Sequence, residues 1–397
     1  MSKNLHMTHL DELLFDIEAS KGETPTTKFL SDVVTGKSNI TVKWDGAPAI
    51  FVGTDPQDGK FFVGTKAIFN KEPKIIKEPA DIERFGITEG LKPKLLTSLI
   101  ELRKLNIPKG VVLQGDLLFT DGDITNKTID GEEYITFQPN TILYAVKSDT
   151  DIAKKMNQSK IGVVFHTTYT GESLPEMKAS FGADISNLTQ TKDVWFIDAS
   201  YEGNIEGFDR SKVTEIKLQE KELTESLFDA YSEYIELQSN LTSAEIGAGL
   251  KTFFNRQIRE GKIVENGEIG YDEFINHFRT HFEEKVIAKL KNDTSREFKT
   301  SKMLTFLESI TSMKSFIIKV IDFTLEVMDV KQDIIKKLED GINTDIRTFV
   351  IDNGVIRETK PEGFVAIDKT TGGAVKFVDR LEFSNLNFNV DKNWSKQ

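Results

Sequence analysis

The chain has 397 residues, 38% of them hydrophobic and 29% charged, with a formal net charge of −12 and no cysteine. That length accommodates two domains, or one large domain carrying an insertion. The missing cysteine excludes disulfide scaffolds, thiolate catalysis and zinc–thiolate sites, and the acidic balance argues against a protein that coats nucleic acid through a general positive field.

The first residues, up to Asp16, lack the charged start and apolar run of a signal peptide. The most apolar helical stretch, Ser315 to Met328, carries Lys319, Asp322 and Glu326, so no membrane span is expected. With cysteine absent, these features suit a cytoplasmic protein. Locally the charge reverses: between Lys60 and Lys109 there are eleven Lys or Arg against six Asp or Glu. Such a stretch is either a phosphate-binding surface or a solvated mixed-charge face.

Leu10, Leu13, Leu14 and Ile17 have the i, i+3, i+4, i+7 spacing of a short helix. A second helix is predicted over Phe29 to Val34, with Gly36 as its C-cap. The pattern then turns to strands at Ile40–Trp44, Ala49–Val52 and Lys60–Val63, the last two joined by a turn through Asp55 to Gly59. Further strands are predicted at Val111–Phe119, Glu133–Phe137, Thr141–Val146, Gly162–Thr168 and Val194–Asp198, with a helix over Pro93–Leu105. From Ser211 to Gly341 the periodicity is helical almost throughout. Strand signals return at Thr348–Ile351, Gly363–Ile367 and Ala374–Val378.

Four segments carry chemistry. Lys43-Trp-Asp-Gly46 sets a lysine at a strand end, before an Asp and a Gly that permits a tight turn. Gln114-Gly-Asp-Leu-Leu-Phe119 places Asp116 on a strand, Pro361-Glu-Gly-Phe-Val365 puts Glu362 at a strand start, and Ala374-Val-Lys-Phe-Val-Asp-Arg380 supplies Lys376. Lysine, acid, acid, lysine in this order resembles the covalent nucleotidyltransferase superfamily of ATP-dependent DNA ligases, RNA ligases and GTP-dependent mRNA capping enzymes. Around the same points the chain resembles a family of large tailed-phage, ligase-like proteins carrying KWDGAPA and KFVDR strings. The resemblance spans roughly residues 38–200 and 345–388.

The resemblance implies an α+β fold: a nucleotidyltransferase (ATP-grasp-like ligase) core of two antiparallel sheets flanking an ATP cleft. Residues 1–203 and 345–397 would form that core, and 204–344 an all-helical insertion domain. It implies an ATP-dependent polynucleotide ligase, foremost an RNA ligase, that passes through a lysyl-AMP intermediate and uses Mg²⁺ or Mn²⁺. Its partners would be RNA or DNA with 5′-phosphate and 3′-hydroxyl ends, in the cytoplasm of a phage-infected bacterium. The chain ends soon after Lys376, too early for a trailing oligonucleotide-binding barrel, so the helices are expected to hold the polynucleotide. Alternatives are a DNA ligase, a protein or small-molecule adenylyltransferase, or a binding domain of this fold without activity.

Residue by residue, the resemblance makes Lys43 the nucleophile, places Asp45 and Gly46 in the nucleotide site, and gives Lys376 the α-phosphate. Glu362 matches the metal-binding glutamate. Asp116 stands where a Glu usually contacts the ribose or metal, and Tyr144 matches the aromatic that stacks on the base. The usual Arg after the lysine is Pro48 here, so Lys66 is the candidate replacement. Thr41 stands where a Glu often reads the adenine. Chemistry explains the set. A lysine attacks the α-phosphorus only when neutral, and with a reference pKa near 10.4 neutrality at pH 7 costs about 4–5 kcal/mol. A nearby cation, Lys376 or the metal, would lower that cost.

Three other signals are set aside. Val264 to Glu273 imitates half of an EF-hand loop but lacks its first carboxylates. His277 and His281 share a helix face without an HExxH glutamate. Glu206-Gly-Phe echoes Glu362-Gly-Phe with no cationic strand behind it.

Overall fold

The computed structural model describes residues 7–15, 25–203, 205, 207–235, 243–342, 344–352 and 354–384; Ile17 and Glu206 lie outside these. Its strands are β1 (Thr8–His9), β2 (Ser38–Lys43), β3 (Ala49–Thr54), β4 (Phe61–Gly64), β5 (Val111–Thr120), β6 (Thr125–Ile129), β7 (Glu132–Phe137) and β8 (Leu143–Lys147). They continue with β9 (Ile161–Thr170), β10 (Lys178–Phe181), β11 (Val194–Asp198), β12 (Ile346–Asp352), β13 (Val355–Thr359), β14 (Gly363–Asp368) and β15 (Ala374–Val378). The helices are α1 (Pro25–Val34), α2 (Pro79–Arg84), α3 (Lys92–Glu101), α4 (Asp151–Gln158), α5 (Ser211–Ile235), α6 (Ser243–Arg259), α7 (Gly267–Phe282), α8 (Asp293–Ser312) and α9 (Lys314–Asp340).

The fold is mixed α+β, but the described strands form three sheets rather than two. Their orders are β1-β15-β14-β2, then β10-β9-β5-β3-β4 with β11 beside β9, and β13-β12-β8-β7-β6. Nor are all pairings antiparallel, since β1 runs parallel to β15 and β11 parallel to β9. Two of the unforeseen strands, β6 and β10, are largely polar. Four of the five β6 residues and three of the four β10 residues are exposed or half-buried polar or small groups, so neither shows an apolar alternation. The N-terminal helical pattern folds instead as a 3-10 turn over Leu10–Phe15. The helix predicted to Leu105 tightens into a 3-10 turn over Leu102–Leu105.

In the first sheet strand alternation separates two faces. Phe364, Ala366, Val375 and Phe377 turn to a core shared with α1, with Val213 and Ile216 of α5, and with Val327, Ile334 and Leu338 of α9. Lys43, Thr41, Val365 and Lys376 belong to the opposite set, because Val365 pairs with both Thr41 and Lys376 and Gly363 pairs with Lys43. Among the described residues between 207 and 342 there is no strand, as the helical periodicity predicts. The helices are nonetheless not detachable. A core around Leu250, Phe253, Phe274 and Ile317 belongs to them alone, but α5 and α9 also roof the sheet that carries Lys43. Fully burying one Phe is worth about 1.5–3 kcal/mol, so stripping that roof from Phe364 and Phe377 would uncover a large share of the sheet's stability.

A buried ion cluster fastens this junction. Asp11 accepts from Lys331 Nζ of α9 at 2.7 Å and from Arg380 Nη1 at 2.7 Å. Arg380 also donates to Glu12 at 3.1 Å and to Asn255 of α6.

Candidate functional site

The Lys43 loop is held by its aspartate. The Asp45 carboxylate accepts from Asn140 Nδ2 at 2.7 Å, from the Thr141 N–H at 2.7 Å and from the Ile142 N–H at 2.9 Å. Its own N–H donates to the Tyr144 hydroxyl at 2.7 Å. Asp45 is 5% exposed, so it clamps the loop onto the segment before β8 and does not present a carboxylate to a nucleotide. Gly46 acts sterically: a Cβ there would meet the Asp116 Cβ at 2.5 Å and the Leu117 carbonyl at 3.1 Å. Without one, the loop lies against β5 and exchanges Ala47 N–H to Leu117 O at 3.0 Å and Leu117 N–H to Pro48 O at 3.1 Å.

Four of the predicted residues converge. Lys43 Nζ is ion-paired with Glu362. Gly363 sets that contact, because β14 crosses so close to β15 that a Cβ at Gly363, with φ +144°, would lie 2.4 Å from the Phe377 carbonyl. Asp116 arrives from β5 in the second sheet, opposite Ala49. Lys376 arrives from β15, with no ion pair among the described residues, and its amine is lowered by burial and by the charge of Lys43. Burial alone would pull the Lys43 amine down. Glu362, by charge and hydrogen bond, and then Asp116 and Asp45 hold it above the ordinary lysine value. Lys43 therefore rests protonated, contrary to the expectation that a neighbouring cation dominates. Burial pushes the Asp116 carboxyl up to about 7, with Asp45 adding to the shift and Lys43 and Lys376 opposing it.

The Tyr144 ring is stacked by its own neighbours, although the residue also borders a groove at Lys43. Trp44 packs against its ring at 5.2 Å and Phe137 at 5.3 Å, and the residue is 2% exposed. Lys66 is exposed on the turn after β4 and is not among the charges acting on Asp116. Part of the basic stretch is engaged at home: Lys77 binds Asp55 and Asp58, Lys92 binds Glu83 and Glu89, and Lys104 binds Glu101 and Asp193. The EF-hand imitation folds as the start of α7, capped by the Asn266 side chain. His277 is not an exposed helix histidine but is buried against Phe253.

One neighbour is not legible from the sequence. Gln114 pairs with Thr167 and Gly115 with Phe165, so His166 is the extra residue of a β-bulge in β9. The bulge brings its Nε2 to 3.8 Å from Asp116 Oδ2. Burial, and then the Lys43 charge, lower its imidazole to about 4. The lone signal in sequence is a histidine interrupting an apolar strand.

Two hollows meet at Lys43. One is a narrow slot of 60 Å³ lined by Met7, Val164, Phe181 and Val365 as well as Asp116 and His166. The other is a groove of 470 Å³ between Trp44, Tyr201, Ile342 and Pro361. Lys43, Asp116 and His166 line these hollows beside an apolar wall, and Glu362 and Lys376 stand behind them within reach of the Lys43 charge. No described helix is long and apolar enough to cross a membrane.

No curated protein and no solved structure matches the chain. A model of a family of unknown function, DUF6267, matches residues 4–392, and the chain belongs to that family.

Proposed function

We propose that the chain is an ATP-dependent polynucleotide ligase, an RNA ligase before a DNA ligase, built on a nucleotidyltransferase core and acting through a lysyl-AMP at Lys43. What carries the reading is the meeting of Lys43, Asp116, Glu362 and Lys376 at one cleft from three distant parts of the chain. In the reaction Lys43 Nζ bonds to the α-phosphorus of ATP, the bond to the β-phosphate oxygen breaks, and pyrophosphate leaves. Glu362, already accepting from the amine, is placed to take its proton. Lys376 stabilises the charge that develops on the α-phosphate oxygens. With the Tyr144 ring packed between its neighbours, the 470 Å³ groove beside Lys43, and not the 60 Å³ slot, is the hollow with room for the base.

The metal expected at Glu362 and Asp116 finds one of them engaged, since Glu362 holds Lys43. Asp116 fits by its donor chemistry: it is a half-buried carboxyl beside Lys43 whose hard oxygens suit a divalent cation. Mg²⁺ needs only one or two carboxylates, with phosphates and water completing its shell. When bound it would neutralise charge on the triphosphate.

Labelled ATP and GTP, each incubated with protein and a divalent cation, test the reading. Label that is acid-labile and alkali-stable should appear from ATP and vanish in Lys43→Ala, and Glu362→Ala and Lys376→Ala should each lose about 10²–10³-fold in rate. Undiminished labelling of Lys43→Ala would end the proposal. Nicked RNA and nicked DNA then identify the acceptor. Because Lys77, Lys92 and Lys104 are tied up in ion pairs, transfer to neither would favour the second reading, an adenylyltransferase acting on a protein or small molecule.

A further inference from the structure

We infer that His166 and Asp116 together form a binding site for a first-row divalent cation, selective over Mg²⁺, at the mouth of the Lys43 cleft. The inference rests on the proposed catalytic cleft and names the metal class that the cleft takes.

Three observations carry it. His166 is the inserted residue of the β9 bulge, and bulges serve to re-aim a side chain. Its Nδ1 is 2.8 Å from Thr167 Oγ1, while its Nε2 faces the Asp116 carboxylate at 3.8 Å. In the tautomer that donates from Nδ1 to that hydroxyl, the imidazole offers its Nε2 lone pair, the arrangement that orients ligating histidines. That lone pair then confronts an anion across a gap too long for a hydrogen bond. A cation placed between them would be bonded by both. Cis ligands at about 2.1 Å from one octahedral ion stand about 3.0 Å apart, so a shift of about 0.8 Å in the Asp116 or His166 side chain closes the pair on a cation.

Among the described residues no cluster of three or more His, Cys, Asp or Glu is arranged to hold a metal. The site is therefore a two-residue one, completed by water and by phosphate oxygens when a nucleotide is present. An all-oxygen pair would suit Mg²⁺, and an imidazole shifts preference toward first-row ions. Such an ion would lie beside Lys43, whose charge already acts on His166. It would favour the neutral amine that Glu362, Asp116 and Asp45 otherwise disfavour.

Mn²⁺ without nucleotide is the probe. Titrating the full chain by electron paramagnetic resonance should show Mn²⁺ bound at least tenfold more tightly than competing Mg²⁺, and pulsed spectra should show coupling to one imidazole nitrogen. In His166→Gln the coupling should vanish and the Mn²⁺ affinity should fall at least tenfold. Bound Mn²⁺ with no nitrogen coupling, or coupling that survives His166→Gln, would overturn the inference. Should that variant unfold, replacing the other four of the five histidines by Gln one at a time identifies the ligand by elimination. The readout needs no catalysis. A nitrogen-coupled site in a protein that never labels with ATP would sink the ligase reading and leave this one standing.

Discussion

Two clusters of buried and half-buried charge adjoin β15 of the first sheet, and they are built on opposite principles. At Asp11 every carboxylate oxygen has a cation: Lys331 on one and Arg380 on the other, each at 2.7 Å. Although burial opposes it, Lys331 and then Arg380 hold the Asp11 carboxyl far below the usual carboxylate range. At Lys43 the accounts do not close. Asp116 and Lys376 are half-buried with no ion pair as close as those at Asp11, and burial pushes the Asp116 carboxyl up to about 7. A matched cluster is a fastener. An unmatched one is held in place by the surrounding fold and is suited to a ligand that completes it.

The largest effect should come from unfastening the matched cluster. Asp11→Ala leaves Lys331 and Arg380 buried without their anion, and breaking a buried pair in this way costs about 3–5 kcal/mol. Since the cluster joins the N-terminal segment to α6, α9 and the strand that carries Lys376, chemical denaturation should show both regions weakened together. A loss below about 1 kcal/mol would mean that the ions are not a fastener. The pH dependence follows the lowered Asp11 carboxyl. Its contribution is present above the unfolded value near 3.9 and is lost only as pH falls toward the folded value, in strong acid. The Asp11 term should therefore remain intact at pH 5.

Asp116 should behave with the reverse sign. Its folded value, about 7, lies above its unfolded one. Between pH 4 and 7 the folded chain keeps a proton that the unfolded chain releases, so stability falls as pH rises through that window and the penalty is complete above it. Asp116→Asn removes the buried charge and should stabilise the protein by about 1–3 kcal/mol at pH 8, with no gain at pH 4. The same variant should lose self-labelling. Thermal melting at the two pH values separates the cases: a destabilised Asp116→Asn at pH 8 would place Asp116 with the fasteners.

What could be read in the sequence divides along similar lines. Lys43, Asp116, Glu362 and Lys376 were legible as an ordered set, lysine, acid, acid, lysine, through its resemblance to the nucleotidyltransferase pattern, and none of them stands out alone. Gly46 and Gly363 were legible as glycines, though their reason is the approach of β5 and β15, which only the fold supplies. Asp45 and Tyr144 share the motif with those residues but point inward, and a pattern of residue types does not show which side of a loop a carboxylate faces. His166 depends on a slip in strand register, fixed by tertiary pairing with Gln114 and Gly115. The helices were legible from periodicity, but α9 divides its apolar residues between two cores, and only the second joins the sheet.

The smallest effect tests that division at its finest point, the Tyr144 hydroxyl. Tyr144→Phe keeps the ring between Trp44 and Phe137 and removes one acceptor, leaving the buried Asp45 N–H unpaired. An orphaned buried donor costs about 1–3 kcal/mol, and retained packing places the loss near the lower end. If Tyr144 belongs to the fastening of the loop, the variant should melt earlier while the KM for ATP in self-labelling stays unchanged. The rate should drop only modestly, because Asn140, Thr141 and Ile142 still hold the Asp45 carboxylate and with it the loop that positions Lys43. A KM raised severalfold with an unchanged melting temperature would return Tyr144 to the nucleotide. It would also show that the ring moves out from between Trp44 and Phe137 when ATP binds.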